Sequence, residues 1–296
     1  MKPSNTHIME IKKAQKKKVK LKVGFSSASG FGKTYSALLM AFGVCGDWTK
    51  VCVIDTENES ASLYSDLGDY NVLVLEPPFS PERYIEAIKA CEAEGMEVII
   101  IDSITHEWEG KGGCLEIVDS LGGRYQDWAK VTPRHTAFVQ AILQAKCHVF
   151  TTVRRKQDYE MTKDNNGKVK VEKVGMKEVT REGFEYEVTT NFEFVNDRHF
   201  VKASKDRTGL FMNEPEFVIT SETGKKVANW ANSGVSVAEV ERQEAVEKMI
   251  RLENAISEMK SCSSLDCVKK MWSIHKEFQQ TQDFIEVKDA KKEELS

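Results

Sequence analysis

Residues 27–34 run Ser27-Ala28-Ser29-Gly30-Phe31-Gly32-Lys33-Thr34. Just before them Val19, Leu21 and Val23 alternate with Lys20 and Lys22, which predicts a strand with one polar face. Just after them, Lys33 to about Val44 holds Ala37, Leu38, Met40 and Ala41, which predicts a helix. A Gly/Ser turn ending in Gly-Lys-Thr between strand and helix is the setting of the phosphate-binding pattern GxxxxGK[ST]. The chain departs from that pattern only at its first position, where Ser27 stands in place of glycine. If that position requires a positive φ, serine costs about 1 kcal/mol of strain. The chemistry follows from the backbone: glycines let successive N–H groups turn inward around phosphate oxygens, and the helix N-terminus adds its positive end. Ser29, Gly30, Phe31, Gly32, Lys33, Thr34 and Tyr35 are therefore the expected nucleotide cradle. Lys33 would neutralise phosphate charge, and the Thr34 hydroxyl would ligate Mg²⁺.

Working outward, Lys50 to Asp55 (ending VCVID), Asn71 to Leu75, and Met96 to Asp102 (MEVIIID) are apolar runs that predict strands. Ser80-Pro81-Glu82 opens a helix to about Glu94, since serine caps and proline suits the first helical position. Thr132-Pro133 predicts a second helix start, feeding the strand Cys147 to Val153. Strands alternating with helices make an α/β fold, a mostly parallel sheet flanked by helices with its ligand at the C-terminal strand ends. Asp102, closing VIIID, is then the carboxylate expected at the Mg²⁺.

After Arg154 the segments shorten. Phe184 to Val188 and His199 to Ala203 predict an antiparallel extension of the sheet, and Asp164 to Gly167 predicts a hairpin turn. From about Val237 the chain is charged and helical, with Leu252, Ile256 and Met259 at helical spacing, which predicts a small C-terminal helical appendage. The expected organisation is a basic arm at 1–17, a nucleotide-binding domain at 18–235 and a helical segment at 236–296.

The composition, with 41% hydrophobic and 30% charged residues, is that of a soluble globular protein, and no apolar run is long enough to span a bilayer. Seven dispersed cysteines without a CxxC pair fit a reducing cytoplasm better than a disulfide framework. Cys262 and Cys267 read as structural, with no histidine spaced for zinc. The net charge of −4 does not mark the whole chain as a nucleic-acid binder. Two segments are basic all the same: residues 1–22 carry eight lysines against Glu10, and residues 154–181 carry nine Lys/Arg against five Asp/Glu.

The segments SGFGKTYSALL, VIDTENESA, VIIIDSITHEWEG, REGFEYE and SKDRTG together resemble the RecA-like P-loop nucleotide-binding proteins of bacteriophages, a group that includes single-strand annealing recombinases. The resemblance covers roughly residues 18–215. It implies a RecA-like P-loop NTPase core using ATP and Mg²⁺. It implies that Glu57, in Asp55-Thr56-Glu57, orients the attacking water, with Glu107 and Glu109 as alternatives. It implies a cation delivered in trans between subunits of a ring or filament, placed by chain order at Arg207 with Lys205. Thr151 or Thr152 would sense the terminal phosphate. The segment Arg154-Arg155-Lys156, with Tyr159, would face single-stranded DNA, its cations on phosphates and its ring on a base. A single-strand-binding protein is the partner such a role implies. The expected output is recombination, annealing or replication in a host cytoplasm. The alternatives are a ring-type helicase motor or loader, and an ATP-gated regulator or scaffold with little turnover.

Overall fold

The structure, a computed structural model, describes residues 13–163 and 169–296, without the side chains of 159–174 and Val237. The expected turn at Asp164 to Gly167, the Tyr159 side chain and most of the 1–17 arm lie outside the described residues.

The larger of two units, Val19–Ser233, is built on a nine-stranded sheet. Its parallel part consists of β1 (Lys22–Ser27), β2 (Val51–Asp55), β3 (Asn71–Val74), β4 (Val98–Asp102) and the first half of β5 (His148–Lys163). β6 (Val169–Glu178) pairs antiparallel with the second half of β5. β7 (Thr190–Phe194) joins β1 in parallel, and β8 (Phe200–Asp206) and β9 (Phe217–Val218) add antiparallel strands beyond it. The order across the sheet is β3-β2-β4-β5-β1-β7-β8-β9.

Strand periodicity sorts the apolar residues into two layers, because successive side chains point to opposite faces. Val23, Phe25, Val53, Ile100 and Phe150 share one core with Leu38 and Met40 of α1 (Lys33–Cys45). Ile54, Ile99, Ile101 and Val149 share the other with Tyr84 and Ile88 of α2 (Pro81–Ala93). Between β4 and β5 lie α3 (Thr105–Glu109), α4 (Cys114–Ser120) and α5 (Trp128–Gln144), and Phe138 and Ile142 of α5 join that second core. Each fully buried aliphatic side chain contributes about 1.5–3 kcal/mol, so both layers hold the sheet. Beyond β6 come a short α6 (Phe184–Glu187) and then α7 (Ser221–Asn232) after β9.

Four expectations are corrected. Lys22 does not belong to a polar face: it is buried, its Nζ donating to the Ala145 and Cys147 carbonyls where the chain passes from α5 into β5 over that face of the sheet. Helix α5 begins at Trp128, upstream of Pro133. The chain enters it through a 3-10 turn in which Asp127 accepts the Arg124 N–H at 3.0 Å, so a proline near a helix start did not mark the start itself. Phe184 to Val188 is not a strand but mostly the turn of α6, with Phe184 buried beneath it. Ser27 carries no strain: it is the last residue of β1 and is absent from the positive-φ positions, which in this turn are Gly30 and Gly32 at 83° and 84°.

The second unit comprises residues 13–18 and Gly234–Ser296. It contains α8 (Val237–Lys260), α9 (Leu265–Ile274) and α10 (Gln282–Glu294), packed on Ala255, Met259, Val268, Phe278 and Phe284. Leu252 and Ile256 pack against that core, as their spacing predicts. Residues 16–18 pair with Val235, two hydrogen bonds at 2.9 Å holding them. Cys262 and Cys267, read as structural, form a disulfide, although the dispersed cysteines argued against a disulfide framework: the α8–α9 turn sets their Cα atoms 5.5 Å apart, within bridging range. Among the described residues no helix is long and apolar enough to cross a membrane.

Candidate nucleotide site

β5 is the strand between β1 and β4, so the C-terminal ends of β1 at Ser27 and of β4 at Asp102 lie on either side of it, near Thr152. The chain leaves β1, turns through Gly30 and Gly32, and enters α1 with Lys33 and Thr34 in its first turn. A positive φ is cheap only for glycine, which explains those two positions. Gly32 has a second reason: a Cβ there would stand 2.7 Å from Nδ1 of His199.

Asp102 is almost wholly buried and accepts two hydroxyl donors, Thr34 Oγ1 on one oxygen and Thr152 Oγ1 on the other, each at 2.5 Å. Burial pushes its carboxyl up; the hydrogen bonds from Thr152 and Thr34 oppose this, and so does the charge of Lys33. Lys33 Nζ donates to Ala28 O at 2.9 Å and to Ser27 Oγ at 3.1 Å. Its pKa is drawn down by burial, against the pull of Asp102 and Glu57. The lysine thus has neutral oxygens for direct partners and carboxylates nearby.

At the end of β2, Asp55 accepts the N–H of Glu57 at 2.6 Å and of Ala61 at 2.7 Å, and this turn presents the Glu57 carboxylate. Ser103 Oγ donates to Glu57 at 3.1 Å, and the Arg154 guanidinium pairs with its other oxygen. Thr56 Oγ1 donates to the Asp102 carbonyl at 3.1 Å and lies 2.8 Å from His106 Nδ1, which ties the β2 and β4 ends together. A cavity of about 380 Å³ opens here, lined by Gly30, Lys33, Thr34, Glu57, Asp102 and Arg154, with Ser29, Gly32 and Tyr35 at its wall.

The three candidate glutamates separate cleanly. Glu57 lines the cavity. Glu107 is fully buried against His135 and Cys114, and Glu109 pairs with Lys156 at 2.8 Å. The basic segment also divides. Arg154 belongs to the nucleotide cavity, Arg155 pairs with Glu193 and donates to Met176 O at 2.6 Å, and Lys156 holds Glu109. Lys205 and Arg207 both donate to Tyr186 O, the latter at 2.9 Å, and neither lines the cavity of its own chain. Thr152 touches Asp102, whereas Thr151 donates to Val23 O at 3.4 Å inside the sheet. Phe31 contributes its carbonyl, which accepts from His199 Nδ1 at 2.9 Å.

Sequence reasoning missed His199, Ser60 and Tyr64, which also line the cavity. Tyr64 meets Tyr35 edge-on at 5.7 Å. His199 carries one signal, a positive φ of 65° at a non-glycine residue, visible only in the fold.

The residues present fit a magnesium nucleotide. A buried carboxylate with hydroxyl partners, next to a buried lysine and an open glycine turn, is a donor set for a hard cation and a polyphosphate. Nothing lies within 4 Å of the place a Cβ would occupy on Gly30, so the turn is open there.

The sequence matches the AAA domain family over residues 20–238. No curated protein matches it. Among solved structures it is similar to a KaiC-like protein of the hyperthermophilic archaeon Pyrococcus horikoshii OT3. That match has 15% identity over 68% of this chain and 87% of the other, with a TM-score of 0.39. It is also similar to an ATPase from the type III secretion system of pathogenic bacteria, at 12% identity over 70% and 61% of the two chains, with a TM-score of 0.41.

Proposed function

The chain belongs to the AAA domain family, and on that premise we propose that it binds and hydrolyses ATP with Mg²⁺ and couples hydrolysis to single-stranded DNA. The observation that carries the first part is Asp102 bridged by Thr34 and Thr152 beside Lys33. Lys33 and the backbone of Gly30 to Thr34 would hold the phosphates, and Thr34 with Asp102 would hold the magnesium. Bound there, the metal supplies charge neutralisation for phosphate oxygens. Glu57 orients water once its carboxylate is free to accept a proton. Its pairing with Arg154 keeps it engaged until that guanidinium is drawn away.

The DNA part rests on the family resemblance and on position. Arg154 sits on the strand that continues into Arg155, Lys156 and the β5–β6 ribbon, so phosphates bound along that strand would compete with Glu57 for Arg154. The role fits recombination, annealing or replication of the bacteriophage type, with a single-strand-binding protein as partner. Arg207 with Lys205, outside the chain's own cavity, is assigned to a neighbouring subunit's nucleotide in a ring or filament.

ATP turnover with and without single-stranded DNA tests the proposal. The natural chain should turn over ATP faster with DNA, and Lys33→Ala should bind nucleotide on the order of 100-fold more weakly, the loss of a charge-assisted phosphate contact. Nucleotide binding that ignores both magnesium and Lys33→Ala ends the ATPase assignment. Arg207→Ala should lose about 10³-fold in turnover and recover it when mixed with Lys33→Ala, each supplying what the other lacks. Full activity of Arg207→Ala alone removes the trans role.

A further inference from the structure

Five residues past Asp102, a second polar cluster lies in an otherwise apolar interior. Glu107 on α3, Cys114 at the first residue of α4 and His135 on α5 turn toward one point. His135 Nδ1 is 3.1 and 3.0 Å from the two Glu107 carboxylate oxygens, and Cys114 Sγ is 3.1 Å from one of them. Donor atoms from the three residues lie within 4.8 Å of one another. Glu107 and Cys114 are fully buried and His135 nearly so, with Val118, Val131 and Trp108 around them.

From this cluster we infer a structural zinc site, separate from the magnesium nucleotide site and not dependent on it. A carboxylate sealed from water needs a positive partner. A divalent ion among a thiolate, an imidazole and a carboxylate provides one, and this is the donor set zinc takes. Both carboxylate oxygens stand close to the imidazole nitrogen, so a bidentate Glu107 with Cys114 and His135 makes four donors without a water. The thiol selects against magnesium, which requires oxygen ligands. The three residues come from three successive helices joined by short loops, so one ion would staple α3, α4 and α5 together just downstream of Asp102.

The experiment is metal analysis of the full chain, purified without chelator, with Zn²⁺ as the probe. The natural chain should carry about one zinc per molecule, and Cys114→Ser and His135→Gln should lose most of it. Lys33→Ala and Cys262→Ser should keep it; retention by Lys33→Ala separates this site from the nucleotide reading. Exchange of Co²⁺ into the natural chain gives a readout that needs no variant to fold: a sulfur-to-cobalt charge-transfer band is expected. A natural chain that binds no zinc, cobalt without a thiolate band, or zinc lost with Cys262→Ser and not with Cys114→Ser each overturns the site.

Discussion

A buried lysine bonded to neutral oxygens stands at the start of β1, and another stands past its far end, in the first turn of α1; only the second adjoins the cavity. At the start of the strand, Lys22 Nζ donates to Ala145 O at 3.0 Å and Cys147 O at 2.9 Å, and burial holds its pKa down at about 8. At the far end, Lys33 Nζ donates to Ala28 O and Ser27 Oγ, and burial lowers it as well. The difference lies in the surroundings. Lys22 ties down carbonyls where the chain passes from α5 into β5, beside the neutral ring of His148, whose Nδ1 accepts the Leu21 N–H at 3.0 Å. Lys33 faces a cavity shared with two carboxylates, Glu57 and Asp102, and with the turn through Gly30 and Gly32. A buried cation with neutral partners is therefore not a site in itself; space and converging opposite charge make it one.

The sharpest way to break this contrast is at the carboxylate. Glu57→Gln should lower turnover by on the order of 10²–10⁴-fold with nucleotide still bound, since only the proton acceptor is removed. Unchanged single-turnover rates would move the role elsewhere. At the opposite end, Lys22→Met should cost about 1–3 kcal/mol of stability by stranding buried carbonyls, with nucleotide affinity unaltered. Urea unfolding with a parallel nucleotide titration reads both, and a loss of affinity at constant stability would reverse the comparison. An effect of similar size is expected with pH. Burial, with Lys20 and Lys22 nearby, holds His148 down at about 3, below its ordinary 6.5. Between those values the unfolded chain binds the extra proton, so stability falls as pH drops through that window. At pH 5 the loss should be about 2 kcal/mol relative to neutral pH, and His148→Asn should flatten it. An equal pH slope in that variant would assign the effect to other groups.

That Lys33, Thr34 and Asp102 meet at one edge of the sheet was legible in the sequence because short-range rules place them: the glycine turn leads from β1 into a helix, and the parallel strand VIIID ends at the same edge as β1. The alternating α/β order was legible for the same reason. Lys22 was not, since alternation describes one strand while burial depends on what packs over its face, here the passage from α5 into β5. The Arg154–Glu57 pair joins residues 97 apart, and His199 meets Phe31 across 168. No local pattern encodes such separations. Charge runs misled in a further way. Arg154, Arg155 and Lys156 look equivalent in line, yet successive strand residues face opposite sides, and each finds a different carboxylate.

β5 is one strand of 16 residues, roughly 50 Å long at strand rise, with a shift in its pairing register between Asp158 and Tyr159. Its first half pairs with β4 and β1, and its second half pairs with β6. The strand that brings the Thr152 hydroxyl to Asp102 is therefore the same strand whose continuation carries β6, so the carboxylate end of the cavity and the two-stranded ribbon share one stretch of backbone.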